Sequence, residues 1–242
     1  MENFGRLSAP SLKELFVDRV ASMILSGELG VGERFPPERE LAAQMGVSKT
    51  VVHGGFQELQ RMGFVCIQPQ SGVYVADYMA DGNLETFNAL FRYNGDSLSL
   101  ETIRAVFDFR LAIEGFGMKR LAAAHSEADI ALLRAGIDDI GALVAAGAGS
   151  SVLAARFYAF HKTLLRLSGC FMLTLCFNAV EESAVHLEER YIRTIGVGSA
   201  INRLTAFVDA IERGDGDMAC LILGRGLDEQ YAQYRRERNG RI

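Results

Sequence analysis

Proline is missing from this chain after Pro69, so the long remainder carries none of the residue that most readily interrupts a helix. Cysteine is scarce as well. Cys66, Cys170, Cys176 and Cys220 lie scattered in apolar surroundings without CxxC spacing, which speaks against a zinc cluster or a disulfide framework and for reduced core thiols in a cytoplasmic protein. No apolar run approaches the roughly 20 residues that cross a bilayer, so no membrane role is expected. The opening MENFGRLSAPSLKE has no basic segment leading into an apolar one, so no export leader is expected either. Catalytic signatures are also missing: there is no nucleophile elbow, phosphate loop, HExxH or convincing Ser, His and acid set, and we expect no enzyme and no cofactor. Positive charge is in short supply, the formal net charge being −5. Affinity for a nucleic acid rests largely on neutralised phosphates, so any such binding would be weak per protomer and would gain from two copies acting together.

What the chain does contain is concentrated near its start. SLKELFVDRVASMILSGEL opens with a capping box, Ser11 with Glu14, and continues with Leu15, Val20, Met23 and Ile24 as an apolar stripe ending near Gly27. RFPPERELAAQMG predicts a short helix: Pro37 suits its first position, Leu41, Ala42 and Met45 share a face, and Gly46 stops it. Ser48 can cap the next helix, in which Val51, Val52, Phe56, Leu59 and Met62 face a core while Lys49, Thr50, His53 and Gln57 face outward. From Phe64 to Asp77 the alternation of Val65, Ile67, Val73 and Val75 around Pro69-Gln70-Ser71-Gly72 predicts a two-stranded hairpin. Three helices and a hairpin make a winged helix-turn-helix, which lays its second motif helix along a DNA groove.

Beyond a connector at 79–84 the apolar periodicity is helical throughout, with segments at about 85–93, 99–124, 126–146, 151–168, 171–195, 199–213 and 215–238. The expected fold is mainly α: a winged helix-turn-helix at 1–78, the linker at 79–84, and an all-helical bundle at 85–242. In that bundle Arg110 and Glu114 share the inward stripe of Ile103, Val106, Phe107 and Leu111, while His161 points inward with Phe157 and Leu164. An arginine held by a glutamate to recognise an anion and an internal ion pair that fixes packing both fit that placement. For His161 a hydrogen-bonded core histidine and a ligand contact both fit. Glu182 and His186 stand one turn apart, a pairing that surface helices produce freely.

The phrase SGELGVGERFPPERELAAQMGVSKTVV makes residues 11–78 resemble the GntR superfamily of bacterial transcription regulators. TIRAVFDFRLAIEGFGMKRLAA, FYAFHKTLLRLSG and FVDAIERGDGDMA make the remainder resemble the FCD effector domain of the FadR subfamily. The resemblance implies a homodimeric regulator, expected to be a repressor, that binds double-stranded DNA at a pseudo-palindromic operator under control of a small-molecule effector. It places DNA contacts at Arg39, Lys49 and His53, beside which Ser48, Thr50, Gln57 and the wing-tip Gly72 are candidates, and effector contacts at Arg110, Glu114, Phe157, His161 and Leu204. The chain departs from the family in two ways. Many FCD domains hold a metal through an Asp and three His, but here Phe157, Leu204 and Gly226 occupy three of those positions and only His161 remains, so no metal is expected. A cavity so altered would favour an apolar or acyl effector. The second departure lies in the DNA module, where Gly54 and Gly55 interrupt the reading helix and Gln68 and Gln70 replace the usual wing residues. Those glycines either soften the helix or permit a close approach, and a protein-interaction or ligand-binding module with a decayed DNA domain is the alternative reading.

Overall fold

The computed structural model describes residues 10–94 and 98–239, and divides the chain into two compact units, Met1–Ser97 and Leu98–Ile242. Arg241, the last member of a basic tail with Arg235, Arg236 and Arg238, lies outside the described residues.

The first unit begins with α1 (Leu12–Leu25), α2 (Glu38–Met45) and α3 (Lys49–Arg61). Each boundary has a local cause. Ser11 accepts from the Glu14 N–H at 3.2 Å while Glu14 accepts from the Ser11 N–H at 2.7 Å, the reciprocal capping box. Pro37 is the residue just before α2 rather than its first helical residue, and Gly46 ends that helix in the left-handed region at φ 65°. Ser48 then accepts from the Val51 N–H at 3.2 Å and starts α3. Strands β1 (Val65–Gln68) and β2 (Gly72–Val75) pair antiparallel with Val65 opposite Val75 and Ile67 opposite Val73. The turn between them uses Gln70 at φ 62° and Gly72 at φ 131°. Such dihedrals cost a side chain strain and a glycine none.

The core of this unit forms where α1, α3 and the hairpin meet. Phe56 is fully buried and takes Phe16 edge-on at 5.4 Å and Phe35 at 5.0 Å. Truncating such a ring costs about 3–5 kcal/mol, so this triad carries much of the unit's stability. The buried face of α1 is Phe16, Val17, Val20, Ala21 and Ile24. Leu15, expected in that stripe, is 50% exposed, because the register that seats Phe16 against Phe56 turns Leu15 outward. Helix α4 (Leu84–Asn94) packs on α1 and falls within the first unit, although the periodicity assigned it to the second. Tyr93 donates to Asp18 at 2.6 Å, and Thr86 donates to the Met62 carbonyl at 2.6 Å, closing the end of α3.

The second unit is a bundle of α5 (Leu100–Ala124), α6 (Glu127–Ala145), α7 (Ser150–Leu167), α8 (Phe171–Asn178), α9 (Glu181–Ile195), α10 (Gly198–Glu212) and α11 (Gly216–Asn239). The principal packing is α5 on α11, α7 on α9, and α10 on α11. Periodicity predicted one helix over 171–195, yet the chain breaks between α8 and α9. Tyr158 explains part of it: its ring stacks on Phe177 at 4.5 Å and its hydroxyl donates to the Phe177 carbonyl at 2.6 Å, occupying an acceptor at the end of α8. Among the cysteines Cys66 is exposed, contrary to the expectation of core thiols, because it takes the outward position in β1 between buried Val65 and Ile67, which packs on the core.

Candidate functional sites

In the first unit the outward face of α3 is open. Among the residues expected to read DNA, Lys49, Thr50, His53 and Gln57 are all exposed, the Lys49 and His53 side chains by 68% and 53%. Arg39 is exposed on α2. Ser48 accepts the cap bond through its hydroxyl oxygen, which starts the helix, and its O–H remains able to donate.

This face is already organised by a residue the motif reading passed over. Glu38, at the start of α2, accepts from His53 Nδ1 at 2.8 Å and lies 3.9 Å from Lys49 Nζ. Gln57 Nε2 reaches His53 Nε2 at 3.2 Å. With Gln57 donating, Nε2 must carry the lone pair and Nδ1 the hydrogen, so Gln57, His53 and Glu38 form one directed chain. The arrangement ties Lys49, His53 and Gln57 together on the exposed face of α3 and sets a carboxylate among them.

At the wing Gly72 has a structural duty. A Cβ there would meet Arg34 Nε at 3.0 Å, and Arg34 lies over the Tyr74 ring at 5.9 Å while Tyr74 and Ser71 share a hydrogen bond of 2.7 Å. Arg34 thereby supplies an exposed cation beside a hairpin whose own turn, Pro69-Gln70-Ser71-Gly72, has none. Sequence alone offered no signal for it, because its pairing with Tyr74 across the hairpin is a tertiary contact. The paired glycines also find an account here. A Cβ on Gly55 would fall 2.2 Å from Phe16 Cδ1, so that glycine permits close approach of an α1 ring.

In the second unit Arg110, Phe157, His161, Leu204 and Gly226 line one cavity of about 40 Å³. Glu114 stands behind its wall. Arg110 Nε donates to Glu114 Oε1 at 2.7 Å, and His161 Nδ1 approaches Glu114 Oε2 to 2.5 Å, a charge contact rather than a well-aligned hydrogen bond. Burial pushes the Glu114 carboxyl up, but the charges of Arg110 and His161, their close contacts and the Arg110 hydrogen bond outweigh it and hold the group at about 2. Arg110 is therefore both ion-pair partner and cavity wall, Glu114 holds it from behind without reaching the cavity, contrary to the expectation of an effector contact there, and His161 touches Glu114 while facing the cavity.

The lining is more polar than the expected apolar or acyl site. Glu188, Arg203 and Gln230 join it from α9, α10 and α11, so Phe157, Leu204, Phe207 and Leu227 share the walls with several charged and amide groups. The enclosed space is small as well, about 40 Å³. Periodicity could not reveal these three, because buried polar residues read as breaks in an apolar stripe. Among the described residues no group of three or more His, Cys, Asp and Glu has the placement to hold a metal ion. No helix among them is long and apolar enough to cross a membrane.

With this geometry in view, the comparisons with known proteins are specific. Residues 12–75 match the gntR family of bacterial regulatory proteins, and residues 105–229, more than half of the chain, match the FCD domain. The chain is 30% identical over 124 residues to the HTH-type transcriptional regulator Mce2R of Mycobacterium tuberculosis, covering 51% of this chain and 50% of that protein. It is 33% identical over 70 residues to the Uxu operon transcriptional regulator of Escherichia coli, 29% of this chain and 27% of that one. The chain thus spans about half the length, or less, of these curated relatives. Among solved structures, that of Lar, described as controlling expression of the Listeria monocytogenes agr system, aligns with a TM-score of 0.64 at 14% identity, over 95% of this chain and 99% of that one. That likeness concerns the fold. The matched segments cover the helix-turn-helix with its wing and most of the helical bundle, and the chain belongs to the gntR family of bacterial regulatory proteins, in the group that carries an FCD domain.

Proposed function

We propose that this protein is a sequence-specific DNA-binding transcription regulator that works as a homodimer on a pseudo-palindromic operator, with a small-molecule effector bound in the FCD cavity. One observation carries the reading: the row Lys49, Thr50, His53 and Gln57 stands clear of its own unit on a helix whose start is capped and whose back is sealed by Phe56. A side chain row of that spacing on a rigid helix is what major-groove reading requires. Lys49 contributes a point charge to a phosphate or a guanine edge, while Gln57 and His53 offer hydrogen bonds to bases.

The short supply of cations fits dimeric action, since two half-sites add their free energies. The effector acts by binding one arrangement of the two heads better than another, and the coupling equals that difference in affinity. Repression is the simplest mode, a bound dimer occluding a promoter. Fluorescence anisotropy of full-length protein with the promoter region of its own gene tests the reading: binding that resists random competitor DNA and weakens with salt is expected. A chain that binds specific and random duplex alike would sink it in favour of a protein-interaction module.

A further inference from the structure

The effector cavity carries more polar groups than packing needs, and they fall into two kinds. Gln230, 5% exposed, donates through Nε2 to Glu188 Oε2 at 3.0 Å, which leaves Gln230 Oε1 buried with no donor. A buried acceptor in that state is unfavourable until a donor arrives. Beside it, Glu188 is 8% exposed; among the described residues it accepts from Gln230 and from no cation at hydrogen-bond distance, the Arg110 charge acting on it from further off. Opposite needs come from the arginines. Arg110 spends Nε on Glu114, and among the described residues no acceptor takes its two terminal nitrogens. Arg203 reaches Glu229 through Nη1 at 2.9 Å, with that glutamate at the exposed rim, and lays its Nε against Gly226 where any Cβ would sit only 2.8 Å away.

The walls thus offer guanidinium groups that suit an anion, and a carboxylate and an unmet amide oxygen that suit a cationic hydrogen-bond donor. We propose that the cavity selects a small zwitterion, a molecule of short α-amino acid type, whose carboxylate sits on Arg110 and Arg203 and whose ammonium sits on Glu188 and Gln230 Oε1. The proposal rests on the reading of this cavity as the effector site and names the chemical class of its ligand. A plain carboxylate leaves Glu188 and Gln230 Oε1 unmet, and a plain amine leaves the guanidinium groups unmet. Each omission is penalised more heavily than a missing methyl group, because unpaired buried polar groups remain. The small volume of about 40 Å³ favours the smallest members of the class, with hydrogen, methyl or hydroxymethyl side chains.

Isothermal titration of the full-length protein with glycine, L-alanine and L-serine, against glycolate, L-lactate, ethylamine and ethanolamine, tests this directly. At least one amino acid is expected to bind tenfold or more tightly than its hydroxy acid and its amine. Glu188→Gln should erase that margin, bringing L-alanine and L-lactate within about threefold, and Gln230→Met should weaken the amino acid more than the hydroxy acid, with circular dichroism checking that both variants stay folded. If L-lactate binds wild-type protein as well as L-alanine does, the zwitterion proposal is overturned while the effector cavity stands. If none of the seven compounds binds, the proposal is overturned and the effector reading of this cavity goes with it, even where DNA binding is intact.

Discussion

Replacing Gly54 and Gly55 by alanine, one at a time, should move the stability of α3 in opposite directions. Both sit inside the helix and neither has a positive φ, so each alanine gains about 1 kcal/mol of helix propensity. At Gly54 nothing opposes the gain, since the added Cβ would make ordinary contact with Lys13 Cδ at 3.5 Å. At Gly55 the Cβ would lie 2.2 Å from Phe16 Cδ1 and 2.6 Å from Phe16 Cε1. That ring is 2% exposed and set edge-on to Phe56, so it has nowhere to retreat. Overpacking of this kind costs about 1–3 kcal/mol, or more where no neighbour yields, and exceeds the propensity gain.

Hydrogen-exchange mass spectrometry on the full chain, following peptides across residues 49–62, reads both signs in one experiment. A gain of about 1 kcal/mol slows exchange roughly fivefold, and a net loss of about 1–2 kcal/mol speeds it roughly five- to thirtyfold. Phe16→Leu in the Gly55→Ala background should recover part of the loss, because the two sites share one contact and cannot be additive. Equal protection of the two single variants would refute the argument that Gly55 exists to seat Phe16.

Three further outcomes are expected. Lys49→Ala should weaken binding to every duplex tested in anisotropy and lower the slope of log affinity against log salt by about 1 for a lost phosphate contact. Glu38→Gln should raise affinity at low salt, with the difference from wild type closing as salt rises, because the carboxylate that holds His53 and Lys49 also repels phosphate; unchanged affinity at every salt would count against this role. Glu114→Gln should cost about 3–5 kcal/mol in urea unfolding, since Arg110 would stay buried without its counter-charge. The same group gives an acid signature: its carboxyl is held at about 2 against an ordinary 4.5, so its stabilisation is complete above about pH 4.5 and is lost as pH falls toward 2. Its worth is about 3 kcal/mol, and the variant should lack this part of the acid dependence.

The start and stop of each N-terminal helix could be read without coordinates because the groups involved are three or four residues apart. Ser11 with Glu14, Ser48 with the Val51 N–H, and Gly46 in its left-handed conformation are interactions that neighbouring residues complete among themselves. The outward set Lys49, Thr50, His53 and Gln57 follows from the 3.6-residue period in the same way, as does the inward placement of Arg110, Glu114 and His161. Tertiary packing decided what those residues meet. It chose Phe16 over Leu15 as the core side of α1 and set Glu38 against His53, fifteen positions away. It also brought Glu188, Arg203 and Gln230 from three helices into one wall. Periodicity ranks each helix face by its own side chains, whereas a polar cavity is defined by several faces closing on a shared volume, and that closure depends on how the helices pack.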